Sequence, residues 1–246
     1  MAQTVKQTMN QTMEQTKTTS RFKEGLKFLE YALDAFAVIG FELLLAYVVE
    51  PMIFGNRTMK EYEAWMTILH WVITCTGWGI GIALIIRECK NKSGIDLFSS
   101  FKSTGLFKNC EKISLIQLVM IVAGVVICLI STWIDWNGSK VLAELAYRGP
   151  LLFIFQYIYY LFEVALVLLI IVFGQMAFEK WTGNNSIPFG GILVALTWGL
   201  GHWLTKGSLG TGLYTAFGGF VFGSAYVLTN RNLKLSYLLL CIMFIL

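Results

Sequence analysis

Long runs of apolar residues alternate with short polar connections along most of the chain. An α-helix needs about 20 mainly apolar residues to cross the hydrocarbon core of a bilayer, and most of these runs are long enough. The last run is short, and we expect it either to cross or to pack against its neighbours. The pattern predicts an all-α fold, a polytopic integral membrane bundle of about seven helices. The predicted spans are 31–54, 65–87, 113–134, 151–177, 187–204, 208–229 and 233–246.

The composition supports a membrane protein. Hydrophobic residues make up 56% of the chain and charged residues only 14%, whereas soluble domains carry about 25% charged residues. A soluble protein is therefore excluded, and the lipid bilayer is the first predicted partner. Several tryptophans lie near the ends of apolar runs, as expected for side chains at a membrane interface. These are Trp65, Trp133, Trp136, Trp181 and Trp203.

The polar connections divide the chain into three parts. Residues 1–25 form a polar tail, predicted to be disordered or a frayed helix. Residues 26–149 hold three spans and a cytoplasmic loop, 88–112, which is either an amphipathic segment on the membrane surface or a solvated linker. Residues 150–246 hold four spans. Fourteen Lys and Arg residues lie on the side of the N-terminus and five on the other, which predicts a cell-membrane protein with a cytoplasmic N-terminus and an outer C-terminus.

Ionisable residues inside spans are costly and therefore mark candidate functional positions. Besides Asp34, the candidates are Glu42, His70, Glu163 and His202. We interpret Glu42 as an internal hydrogen-bonding group, with a functional acid as the alternative, and His70 as an interfacial residue. Glu163 either fixes helix packing or acts chemically, and the same two interpretations apply to His202.

The turn at 182–188 predicts that the fourth and fifth spans form an antiparallel hairpin. With a rise of 1.5 Å per residue, Glu163 and His202 differ in depth by about 7–8 Å, and Gln175 and His202 by about 10 Å. Glu163 is therefore the better partner for His202. A buried glutamate facing a histidine is a candidate general base with an orienting group, or a weak cation site.

Glycines are frequent in the fifth and sixth spans. Gly219 and Gly223 form a G-x-x-x-G pattern, and together with Gly201 they predict a close approach of helices. A phosphate-binding loop is not predicted, because the chain contains no G-x-x-x-x-G-K-[ST] motif.

The C-terminal half resembles the CPBP family of CAAX proteases and bacteriocin-processing (Abi) membrane proteins. Trp198-Gly-Leu-Gly-His202 is similar to the family's Phe-x-x-x-His, and the segment from Phe217 to Leu233, which contains Tyr226, is similar to its glycine-rich helix. The segment from Gln175 to Gly183 resembles the end of the family's Glu-Glu-x-x-x-Arg helix.

The resemblance implies an intramembrane endopeptidase in which Glu163 activates water and His202 supports it. Gln175, Trp198 and Tyr226 would then support the site or line the substrate cavity. Two parts of the family pattern differ here. Leu166 and Val167 stand where the glutamate pair is expected, and Leu240 and Phe244 stand where the last helix carries His and Asn.

Three functions therefore remain open. The first is a peptidase acting on peptides or on prenylated or leader-type substrates. The second is a catalytically silent relative that acts in bacteriocin self-immunity or binds a membrane-protein partner, and the third is a small transporter or channel component. No cofactor and no nucleic-acid partner is predicted, and a zinc site is disfavoured because the two histidines lie in different spans.

Overall fold

The computed structural model describes residues 2–55, 57–103 and 113–246, with side chains from Thr19 onward except that of Ser103. Within these ranges the chain is helical and has no strand. The α-helices are α1 (Ala2–Leu44), α2 (Glu50–Phe54), α3 (Ala64–Ser93), α4 (Leu97–Ser103), α5 (Leu115–Asp135), α6 (Lys140–Thr182), α7 (Phe189–Val194), α8 (Leu200–Lys206), α9 (Leu209–Leu228) and α10 (Leu233–Ile245).

In the described part of the chain, two π-helical turns interrupt otherwise continuous helical segments. One joins α1 to α2 at Leu45–Val49, and the other joins α7 to α8 at Ala195–Gly199. In a π turn the amide bonds to the fifth preceding carbonyl rather than the fourth, which adds about one residue to that turn. Side chains that follow a π turn are therefore rotated relative to those of a straight α-helix.

Helix α6 forms the centre of the bundle. It packs against α1, α3, α7 and α10, while α9 packs against α7 and α8. The part of α6 from Glu163 to Gln175 is almost continuously buried. Helix α5 packs against α9 and α10 at the periphery, and most of its large apolar side chains are exposed. This exposed apolar surface suits a lipid environment.

Among the described residues, five helices are long and apolar enough to cross a membrane: Thr19–Phe54, Ala64–Ser93, Leu115–Asp135, Lys140–Thr182 and Leu209–Leu228. The structure supports a helical membrane bundle, but it does not confirm the predicted number of seven spans. The predicted span 187–204 is divided by the π turn between α7 and α8. The last one corresponds to α10, which has only 13 residues.

The polar tail is a continuation of α1, which begins at Ala2. Of the two alternatives for residues 1–25, the structure therefore favours the helix. In the loop 88–112, residues Leu97–Ser103 form α4, with Leu97 buried and Phe98 exposed. Residues 104–112 lie outside the described part of the chain.

The segments predicted to share the side of the N-terminus do meet at one end of the bundle. Lys180 pairs with Glu24, and Lys27 donates a hydrogen bond to the carbonyl of Lys92. Arg231 joins the same end through Glu179. Which face of the membrane this end occupies stays a prediction.

Helix α6 has a kink that the apolar pattern does not predict. Gly149 has φ 74° and ψ 167°, a backbone conformation that is essentially restricted to glycine. Pro150 follows it and has no amide hydrogen to continue the helical ladder. Residues 140–148 therefore form a separate helical arm, which folds back onto the bundle instead of extending the long helix.

Glycines set the spacing between α7 and α9. A Cβ atom added to Gly223 would lie 2.2 Å from the backbone of Gly191, and one added to Gly219 would lie 2.8 Å from Val194. The predicted close approach at Gly219 and Gly223 is confirmed. The prediction for Gly201 is wrong, because a Cβ added there would meet no atom of the described residues within 4 Å.

Candidate functional site

Trp198 stands between the two predicted catalytic side chains. Its indole Nε1–H donates a hydrogen bond of 2.9 Å to Oε1 of Glu163, and both residues are buried. On the other side, the imidazole Nδ1 of His202 lies 2.8 Å from the carbonyl oxygen of Trp198, and the two rings meet edge to face. The tryptophan therefore contacts both residues through different groups.

The predicted direct pairing of Glu163 with His202 is not formed. Among the described contacts there is no hydrogen bond or ion pair between these two side chains. The reason lies in the π turn at Ala195–Gly199, which carries Trp198. This turn directs the indole of Trp198 toward α6. The indole thus occupies the position beside Glu163 that the sequence analysis predicted for the imidazole of His202.

A cavity of about 150 Å³ lies beside Trp198, between α5, α9, α10 and the arm of α6. His202 and Trp198 line it, but Glu163 does not. Its wall combines aromatic rings with hydroxyl groups and two charged side chains. These lining residues include Asp135, Trp136, Lys140, Tyr214, Thr215, Phe217, Phe222 and Phe244.

Lys140 is the buried cation of this cavity. Its side chain is only 9% exposed, and its Nζ donates a hydrogen bond of 2.9 Å to the carbonyl oxygen of Phe244. The ammonium also lies 4.7 Å from the centre of the Tyr160 ring and 5.2 Å from that of Phe244. It thus caps the end of α10, where carbonyl groups have no partner within the helix and attract a cation.

Glu144, one turn after Lys140, is buried beside it. Its Oε1 accepts hydrogen bonds from Gln156 at 2.9 Å and from the hydroxyl of Tyr160 at 2.7 Å. Both partners lie beyond the kink at Gly149, so these bonds hold the arm of α6 against the rest of the helix. The carboxylate is therefore committed to the arm and forms no ion pair with Lys140 among the described residues.

Sequence reasoning missed Lys140 and Glu144 because they belong to the connection between two predicted spans. In the charge pattern Lys140 is only an outer-side cation. One signal was available, because Gln156, Tyr159, Tyr160 and Glu163 recur at helical spacing and thus predict a polar face on the fourth span. Such a face in a membrane helix requires polar partners from elsewhere in the chain.

The other two predicted supporting residues lie away from the cavity lining. Gln175 is 1% exposed and holds the hairpin between α6 and α7: its amide donates to the carbonyl of Ile187 and to Glu179, and it accepts from the backbone amide of Gly190. Tyr226 is buried in the apolar core. Their proposed roles in a substrate cavity therefore have no geometric support.

His70 and Glu42 form part of a second polar cluster, on the side of α6 that faces α1 and α3. His70 is fully buried, so its interpretation as an interfacial residue is wrong. Glu42 accepts a hydrogen bond of 2.7 Å from the hydroxyl of Tyr159, as expected for an internal hydrogen-bonding group. Tyr159 precedes Tyr160, and the two clusters therefore meet across adjacent residues of α6.

No protein family model matches this chain, and no curated protein or solved structure matches it either. The CPBP resemblance therefore stays a prediction.

Proposed function

We propose that this chain is a membrane-embedded binding protein whose cavity binds a small ligand with an apolar body and one negatively charged group. None of the three functions predicted from the sequence names such a ligand, and the one nearest to it is the catalytically silent protein that binds a partner. The buried ammonium group of Lys140 is the observation that carries the proposal.

A lysine ammonium has three hydrogen atoms to donate, and the carbonyl of Phe244 takes one of them. No ion pair of Lys140 occurs among the described residues. Asp135 lines the same cavity and Glu144 lies one turn away on the arm, but neither carboxylate forms an ion pair with the ammonium. A buried charge without a directly bonded counter-ion is costly. An anionic group entering the cavity would pair with the ammonium and accept the remaining hydrogen bonds.

The rest of the cavity selects for an apolar body. Trp136, Trp198 and Phe222 supply aromatic walls, and a cavity of about 150 Å³ is large enough for one benzene ring. The preferred ligand is therefore a carboxylate attached to an apolar group of about that size, either as a free acid or as the end of a larger partner.

Hydrolysis has weaker support. A general base must reach the proton that it removes, directly or through one water molecule. Glu163 lies behind Trp198, and its Oε1 accepts the indole hydrogen. A water molecule in the cavity would meet His202 and Lys140 before it met this carboxylate.

The test is to titrate the purified full chain, in detergent or nanodiscs, with benzoate and to measure binding by tryptophan fluorescence or calorimetry. Wild type should bind benzoate more tightly than benzyl alcohol or benzylamine, which have similar size but lack the negative charge. Lys140→Met should lower benzoate affinity by about 10- to 150-fold, because a hydrogen bond to a charged group contributes about 1.5–3 kcal/mol. Lys206→Met is the matched control, since Lys206 is exposed and does not line the cavity.

Equal benzoate affinity in wild type and Lys140→Met would refute the proposal. A parallel peptide-cleavage assay separates the alternatives. Cleavage that is present in wild type and lost in both Glu163→Gln and His202→Asn would establish the peptidase instead.

A further inference from the structure

His70 lies between two glutamates from a different part of the chain. Its Nδ1 is 2.8 Å from Oε1 of Glu50, and its Nε2 is 3.5 Å from Oε1 of Glu42. The imidazole is fully buried and Glu50 is 3% exposed. Among the described residues His70 Nε2 has no hydrogen-bond partner, although it points toward the carboxylate of Glu42.

The π turn at Leu45–Val49 explains how both glutamates reach the same histidine. In a straight α-helix, residues eight positions apart differ by about 80° around the axis. The extra residue of the π turn makes eight residues span close to two full turns. Glu42 and Glu50 are therefore brought to the same face, one on each side of the turn.

The contacts among His70, Glu42 and Glu50 lack one hydrogen atom. Oε2 of Glu50 accepts the hydroxyl hydrogen of Tyr62 at 3.0 Å, and Oε1 lies 2.8 Å from His70 Nδ1, which can donate to this carboxylate when it carries the hydrogen. Burial, and then the bond to Glu50, raise the pKa of Tyr62 to about 12, so this hydroxyl remains a donor. On the other side, Tyr159 donates to Oε2 of Glu42, and only the contact between Nε2 and Oε1 has no hydrogen.

A neutral imidazole has one N–H group and one acceptor nitrogen. If Nδ1 donates to Glu50, Nε2 presents a lone pair to an oxygen that also presents lone pairs. Two facing acceptors in a buried site repel each other, whereas a proton between them forms a charge-assisted hydrogen bond. The geometry is therefore complete only when one more proton is present.

We infer that His70, held between Glu42 and Glu50, is a proton-binding site. A hydronium ion transfers its proton to the Nε2 lone pair, one N–H bond forms, and water leaves. The imidazolium then donates to both carboxylates and ties α3 to the two ends of the π turn. Besides Glu42 and Glu50, the ionisable groups that interact with the site or its glutamates are Tyr62, Cys75, Tyr159, Glu163 and His202. Arg148 lies over the ring of the neighbouring Trp71.

Histidine-selective ¹⁵N nuclear magnetic resonance tests this directly, because the chain has only two histidines. The full-length His202→Asn variant leaves a single ring signal, that of His70. We expect both ring nitrogens to be protonated at neutral pH, and one of them to lose its proton at alkaline pH. A neutral ring with one protonated nitrogen throughout pH 5–9 would overturn the inference.

Glu42→Gln in the same background provides a second test. The glutamine amide supplies its own hydrogen to Nε2, so the imidazolium signal at neutral pH should be lost. Glu30→Gln is the matched control, because Glu30 is an exposed glutamate of the same helix, and it should leave the signal unchanged. The spectrum of the unaltered cluster decides the question even where Glu42→Gln fails to fold.

Discussion

The contact between Gly191 and Gly223 gives the sharpest prediction for packing. In Gly223→Ala the new Cβ would lie 2.2 Å from both the Cα and the amide nitrogen of Gly191. Ordinary contacts of a Cβ begin at 3.4 Å, so α9 would have to move about 1.2 Å away from α7 at this point. Neither neighbour is a flexible side chain, and backbone atoms cannot turn aside. Overpacking of this kind costs about 1–3 kcal/mol.

Gly218→Ala is the matched control on the same helix. The nearest atom to its added Cβ is the end of the Phe222 ring at 3.9 Å, which is an ordinary contact. Both variants gain the same helix propensity, about 1 kcal/mol for alanine over glycine, and this gain cancels in the comparison. Gly223→Ala should therefore be less stable than Gly218→Ala by about 1–3 kcal/mol.

The measurement is the free energy of unfolding of both full-length variants in mixed micelles, by titration with a denaturing detergent. The same contact sets the position of α7 and of the π turn that carries Trp198. A loss of stability in Gly223→Ala should therefore be accompanied by weaker Trp198–Glu163 contact, visible as a changed tryptophan spectrum. Equal stability of the two alanine variants would refute the close-packing argument.

Two further predictions concern the kink and the polar loop. Gly149→Ala should destabilise the chain by about 1–3 kcal/mol, because alanine does not adopt this backbone conformation without strain; thermal unfolding measures the loss, and benzoate binding should weaken with it as Lys140 is displaced. Lys90, and then the bonds from Ser99, lower the pKa of Asp96 from 3.8 to about 2. The stabilisation by this carboxylate is thus present above about pH 4 and lost as the pH falls toward 2. Pepsin should therefore cut wild type near α4 more slowly than Asp96→Asn at pH 4, and at nearly the same rate as Asp96→Asn at pH 2.5, each pair being compared at one pH so that the pH dependence of pepsin itself cancels.

The sequence by itself determined the class of the protein and most of its helices. An apolar run long enough to span the bilayer predicts a helix from the local sequence alone. A helix pairs its backbone polar groups within its own segment, as a lipid environment requires. The glycine pattern at Gly219 and Gly223 likewise predicted a close helix contact, because only a missing side chain allows two backbones to approach so closely. The common end of the cationic segments followed from counting the lysines and arginines in each connection.

Only the tertiary structure decided which polar groups meet. The pairing of Glu163 with Trp198 rather than His202 depends on how a π turn rotates the side chains of its own helical segment, and hydropathy carries no signal for that rotation. Lys140 entered the bundle because the kink at Gly149 folds the arm of α6 inward. The two carboxylates beside His70 lie 20 and 28 residues earlier in the chain, and the π turn at Leu45–Val49 brings both to the same face of their helix. Residue spacing along one helix determines its faces, but partners on other helices depend on kinks and rotations that packing selects.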